Sequence, residues 1–192
     1  MRGELVSIWV GERKVKVPTS RKGREKWGTQ PVSISKETPR KRIHRAGMDI
    51  SWLTERIAVG GGIWNPENMA KVAAARITHI IDMQIEFDDT PLARPFGIEV
   101  LWNPTDDDFE VKPASLFRRG VEFTERALMS DDSKIFIHCA AGIHRAPMMA
   151  LAVLGSIGWS LEDAMELIEA RRPVADLAEV YVESVERFLD GE

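Results

Sequence analysis

The chain has a single cysteine, and the residues around it are types that do chemistry together. His138-Cys139-Ala140-Ala141-Gly142-Ile143-His144-Arg145 fits the pattern H-C-x-x-G-x-x-R. On its own, a free cysteine reads as a small buried hydrophobe. Its neighbours change that reading. Gly142 supplies the positive φ that a tight loop demands. Arg145 offers a planar fork matched to two phosphate oxygens. A loop that turns its amides inward and runs into a helix N-terminus is an anion cradle, because the unpaired N–H groups and the helix dipole both favour negative charge. Helix ends and nearby cations also favour the thiolate form of a cysteine. The spacing therefore describes a sulfur nucleophile aimed at phosphorus.

The flanking segments are those that such a loop needs. Residues 134–137 (Lys-Ile-Phe-Ile) form a short buried strand, and residues 146–154 are an apolar run of helix formers with Pro147 near its start, where a missing N–H is harmless. Elements alternate across the chain from residue 51. A strand at 57–59 ends in Gly60-Gly61-Gly62. Asn65 caps a helix that starts at Pro66 and runs to about residue 75. Buried strands follow at 77–83 and 98–102, then a helix opened by Pro113 and running through Met129. After the nucleophile segment, Ser160 with Asp163 caps a helix to about Arg171, and a last helix covers 176–189. Strands separated by helices predict an α/β fold with a mostly parallel central sheet covered on both faces. Its ligands bind at the carboxyl ends of the strands.

The motif and its setting resemble the cysteine-dependent dual-specificity phosphatases over roughly residues 51–190. The resemblance implies a dual-specificity-phosphatase-like fold and hydrolysis of phosphomonoesters through a phosphocysteine. Cys139 is then the nucleophile, and Ala140, Ala141, Gly142, Ile143, His144 and Arg145 are the phosphate-binding loop. His138 supports the nucleophile's backbone. The family's proton donor lies on a loop about thirty residues before the cysteine, where this chain reads Asn103-Pro104-Thr105-Asp106-Asp107-Asp108. Alignment without a gap puts Asp107 in that role, 32 residues before Cys139. Asp106 is the alternative, and Asp108 reads as a helix-side cap. Most members follow the arginine with Ser or Thr, whose hydroxyl assists thiolate departure; this chain has Ala146, which implies a slower second step. Ala141-Gly142 and Ala146-Pro147 are also similar to the glucan-phosphatase branch, although His144 replaces that branch's second glycine. His144 itself reads as a solvent-facing loop histidine, with contact to the substrate phosphate or a neighbouring group as the other reading.

Composition sets the outer bounds. The 44% hydrophobic content over 192 residues allows one substantial core. Residues 1–46 hold thirteen Lys/Arg against four Asp/Glu, whereas 47–192 hold thirteen against twenty-six. This split marks a basic extension followed by an acidic phosphatase domain, 47–192. The extension divides into a hairpin over residues 5–17 around Gly11-Glu12 and a basic Gly/Pro/Ser/Thr-rich arm. Aromatic residues do not interleave with the arm's basic ones beyond Trp27, which argues against nucleic-acid binding. No apolar run is long enough to span a membrane. One unpaired cysteine fits a reducing compartment, the cytoplasm. The scattered histidines and lone cysteine give no metal-ligand spacing, so no metal and no cofactor are expected. The expected partner is a phosphorylated substrate, a phosphoprotein first and a phosphoglucan second; a phosphate-binding module with weak turnover, for which Ala146 is the only sequence support, is the other reading.

Overall fold

The computed structural model describes residues 5–10, 13–18 and 47–191. The chain divides into two units between residues 43 and 44. In the first, strands β1 (Leu5–Val10) and β2 (Arg13–Pro18) pair antiparallel, with Leu5 opposite Pro18 and Val10 opposite Arg13. The expected turn at Gly11-Glu12 and the basic arm lie outside the described residues.

The second unit is built on a five-stranded sheet in the order β3 (Ile50–Trp52), β4 (Ile57–Gly60), β7 (Ile135–His138), β5 (His79–Asp82), β6 (Glu99–Trp102). Only the edge strand β3 runs antiparallel; β4, β7, β5 and β6 are all parallel. Successive strand residues face opposite ways, and the buried side chains sort accordingly. Ile57, Val59, Ile81, Ile135 and Ile137 join one apolar cluster, while Ala58, Ile80 and Phe136 join another on the far face. The first cluster lies under α3 (Ala114–Leu128), α4 (Arg145–Ser156), α5 (Leu161–Arg171) and α6 (Glu179–Asp190). The second lies under α1 (Pro66–Ala74) and the short α2 (Thr90–Ala93).

Local chemistry starts these helices where the residue types require it. Asn65 accepts from the Asn68 N–H at 2.8 Å and Pro66 opens α1; Ser160 accepts from the Asp163 N–H at 3.1 Å ahead of α5. Helix α4 is buried on all sides from Arg145 to Leu154, as expected of a helix apolar all round. It fixes the position of the loop that feeds it. The expected last helix begins three residues late, at Glu179 rather than 176. Its missing first turn is used elsewhere, since the Asp176 N–H donates to the Ile143 carbonyl at 2.9 Å. Among the described residues, no helix is long and apolar enough to cross a membrane.

Candidate active site

Strand β7 ends at His138, and residues 139–144 turn back into α4 at the carboxyl edge of the sheet. Every carbonyl from Ala140 to His144 has a donor. Ala140 accepts from Gly62 N at 3.0 Å, Ile143 from Asp176 N at 2.9 Å and His144 from Met148 N at 2.9 Å. Arg172 serves the two in between, its Nε bonding Gly142 O at 2.6 Å and its Nη2 reaching Ala141 O at 3.3 Å. Arg172 is 2% exposed and is itself fixed by Asp49 at 2.7 and 3.0 Å. With the carbonyls held this way, the loop's anion-binding capacity rests on its amides, and Gly142 N–H already donates to Cys139 Sγ at 3.2 Å. Gly142 has φ +65°, and a Cβ there would fall 2.5 Å from the Gly60 carbonyl. Glycine is therefore required on both steric and conformational grounds.

Arg145 is 3% exposed and is aimed by a residue that sequence reasoning missed. Glu86 takes Nη1 and Nη2 on its two carboxylate oxygens, both at 2.9 Å, and the Thr105 carbonyl takes Nη1 at 3.2 Å. The Nε–H is buried without a hydrogen-bond partner. Burial opposes the charge on Arg145. The Glu86 hydrogen bonds and the charges of Cys139, Glu86 and Asp107 outweigh that, raising its pKa further, while the Arg145 hydrogen bonds hold the Glu86 carboxyl below its usual range. Glu86 follows the carboxyl end of β5, a position where site residues collect in such sheets, so a signal for it existed.

The segment carrying Glu86 is stapled by Asp82, whose carboxylate accepts from Gln84 N at 2.9 Å and Asp89 N at 3.2 Å. Asp82, Asp89 and His138 are all fully buried. They are the group among the described residues whose donor atoms, within 4.8 Å of one another, are of metal-binding type. Asp82 is already committed to the two amides. His138 Nε2 lies 3.0 Å from Asp89 Oδ2 and 3.7 Å from Asp82 Oδ1, close enough for ion pairing but off the line of a hydrogen bond. The His138 ring lies against the carboxylates that flank Glu86, and its carbonyl accepts from Met83 N at 2.8 Å. Burial drives the Asp82 carboxyl up from 3.8 to about 6, against the opposing pull of His138 and the two amides.

Of the three adjacent aspartates, the structure brings Asp107 to the arginine. Asp107 Oδ2 is 3.7 Å from Arg145 Nε. Asp108 instead pairs with Lys112 and accepts from Glu110 N at 3.1 Å, a local turn rather than a helix cap. The Lys112 hydrogen bond lowers the Asp108 pKa. Asp106 is exposed and makes none of these contacts. Two further residues hold Asp107. Tyr181 accepts from Phe109 N at 2.9 Å and donates to Asp107 Oδ1 at 3.3 Å. His144 Nδ1 lies 3.0 Å from Asp107 Oδ2. The solvent-facing reading of His144 is therefore corrected: its side chain is 20% exposed and sits between Asp107 and Asp176.

A family model, "Dual specificity phosphatase, catalytic domain", matches residues 64–188. The chain belongs to the dual-specificity phosphatase family. It carries a cysteine-dependent phosphatase domain. Among its relatives, rat protein phosphatase Slingshot homolog 3 is 25% identical over 116 residues, covering 59% of this chain and 17% of that protein. Mouse protein tyrosine phosphatase type IVA 3 is 28% identical over 107 residues, covering 55% and 60%. The chain therefore spans a minor part of the Slingshot protein's length. Among solved structures, PTPMT1 in complex with PI(5)P superposes with a TM-score of 0.65 at 21% identity, covering 73% of this chain and 94% of that one.

Two expectations follow for this phosphatase domain. Glu86→Gln weakens the grip on the Arg145 fork, and a charge-assisted hydrogen bond contributes about 1.5–3 kcal/mol. The KM for an aryl phosphate should rise by about tenfold with the circular dichroism spectrum unchanged. A fall in KM would mean that Glu86 competes with phosphate rather than aiming the fork. The second concerns Asp82, whose pKa is higher folded than unfolded. The native state binds its proton more tightly, so stability falls as pH rises from about 4 to about 6 and is then flat. The change is on the order of 3 kcal/mol at most, at 1.36 kcal/mol per pKa unit. Urea titrations at pH 4, 5, 6 and 7 should show that downward component in wild type and its loss in Asp82→Asn.

Proposed function

We propose that residues 47–192 form the catalytic domain of a phosphoprotein phosphatase working through a phosphocysteine, with residues 1–46 as a basic extension. The observation that carries this reading is the loop's geometry: its carbonyls are tied to donors, Cys139 Sγ is on the Gly142 amide, and the buried Arg145 Nε–H is left without a hydrogen-bond partner 3.7 Å from Asp107. A phosphate dianion seated there has its three equatorial oxygens on the loop amides and Arg145. Cys139 Sγ attacks phosphorus in line, the bond to the leaving oxygen breaks, and Asp107 gives that oxygen its proton. Water then attacks the phosphocysteine, Asp107 takes a proton from it, and the thiolate returns. The catalytic groups are Cys139, Arg145 and Asp107, and the chemistry requires neither metal nor cofactor. The relatives' names, which are those of protein phosphatases, support a phosphoprotein over a phosphoglucan. A thiol that must stay reduced supports a cytoplasmic location.

Cys139→Ser should abolish hydrolysis of an aryl phosphate while retaining vanadate binding. Asp107→Asn should lower kcat/KM by about 10²–10⁴, with the larger losses on poor leaving groups. Activity in Cys139→Ser within tenfold of wild type would overturn the mechanism, and a greater loss in Asp106→Asn would move the acid by one residue.

Ala146, fully buried in the first turn of α4, offers no hydroxyl to the departing thiolate. Breakdown of the phosphocysteine should then limit turnover and give a pre-steady-state burst near one equivalent per site. Ala146→Ser adds a charge-assisted hydrogen bond, and each 1.36 kcal/mol is tenfold in rate. Turnover should rise about tenfold while the burst shrinks. No burst in wild type, with an unchanged serine variant, would remove this position from control of the second step.

A further inference from the structure

His144 stands between two carboxylates. Its Nδ1 is 3.0 Å from Asp107 Oδ2 and its Nε2 is 3.4 Å from Asp176 Oδ2. A neutral imidazole carries one N–H and can serve only one of these acceptors, whereas an imidazolium serves both. The other charged group beside the pair is Arg145, whose Nε approaches the same Asp107 oxygen at 3.7 Å. The arrangement is held from three directions. Asp176 is tied through its own N–H to the Ile143 carbonyl at 2.9 Å, so it moves with the loop. Phe109 packs edge-on against the imidazole at 5.0 Å and stacks on Tyr181 at 5.7 Å. Phe109 has φ +58°, a conformation aromatic residues rarely adopt without being held there. Tyr181 spends its acceptor on Phe109 N–H, which directs its one proton to Asp107 Oδ1.

We propose that His144 is a positioning residue that stores the proton Asp107 delivers, so that Asp107, His144 and Asp176 act as one acid–base unit. This rests on Asp107 being the proton donor. At rest the unit is an imidazolium between two carboxylates. As the phosphorus–oxygen bond begins to break, the Nδ1 proton of His144 moves to Asp107, which hands it on to the leaving oxygen. A neutral imidazole remains, with its Nε2–H toward Asp176. In the second step the proton released by the attacking water goes to Asp107 and on to Nδ1, which restores the resting state without another reactant. An aspartate alone donates only when it holds a proton, and imidazole is the side chain that ordinarily gains or loses one between pH 5 and 8. The histidine before the arginine thereby extends proton donation toward neutral pH.

The test measures kcat/KM, which reports steps through thiolate attack, for the full chain and for His144→Asn, His144→Ala and Asp107→Asn between pH 5 and pH 7.5. Asparagine keeps an N–H close to the Nδ1 position but has no proton to give. The substrates are an alkyl phosphate, which needs protonation of its leaving oxygen, and 4-nitrophenyl phosphate, which needs it least. On the alkyl phosphate, both His144 variants should fall at least tenfold below wild type at pH 7.5 and approach it at pH 5. The loss should be several-fold smaller on 4-nitrophenyl phosphate. His144→Asn matching wild type at pH 7.5 would overturn the stored proton. So would a loss that is the same at both pH values and on both substrates. If Asp107→Asn loses activity in the leaving-group-dependent way and His144→Asn does not, the proposal alone fails. If neither shows that dependence, the assignment of Asp107 fails with it.

Discussion

The site depends on where five consecutive carbonyls send their hydrogen bonds. A loop that binds a dianion with its amides must find donors for its carbonyls elsewhere, because a buried carbonyl left unpaired costs free energy comparable to a lost hydrogen bond. Gly62, Arg172, Asp176 and Met148 provide those donors. Arg172 is the least replaceable of them. It is a buried cation neutralised by Asp49, and it spends its Nε and part of its Nη2 on the carbonyls of Gly142 and Ala141. Lysine, with a single nitrogen, could not span both the carbonyls and the aspartate.

A second arginine works by the same rule with the opposite result. Arg145 is also buried and also paired bidentately, but its Nε–H has no hydrogen-bond partner. Glu86 fixes the plane of the guanidinium, and Asp82 fixes Glu86 through the amides on either side of it. The chain of contacts therefore runs from His138, through a buried carboxylate, to the Arg145 fork. Its cost is visible in Asp82, a carboxyl that burial pushes to about 6. Asp107 and His144 are supported independently, by α6 through Tyr181 and by the segment before it through Asp176.

What could be read from the sequence was what is local. The strand, loop and helix around Cys139 are consecutive residues, so type and spacing describe them. The caps at Asn65 and Ser160 are likewise set within three residues. Edge strand β3 has three half-buried residues, too few for an alternating pattern to stand out, and α2 is a single turn. The supports of the site come from afar: Arg172 lies 30 residues beyond Gly142, and Tyr181 lies 74 beyond Asp107. No periodicity encodes those meetings. His144 shows the limit most plainly. Read alone it is a polar loop residue, and only the fold brings Asp107 and Asp176 to it from either side.

Tyr181 is the chain's sole tyrosine, and its hydroxyl is on the Asp107 carboxylate, the group proposed to carry the proton. Every tyrosine signal of this protein therefore comes from one ring beside that carboxylate. A label confined to the ring carbon that bears the hydroxyl gives one resonance, with no assignment needed, one hydrogen bond away from Asp107. Under the proposed mechanism that resonance is a built-in reporter of the charge on the acid.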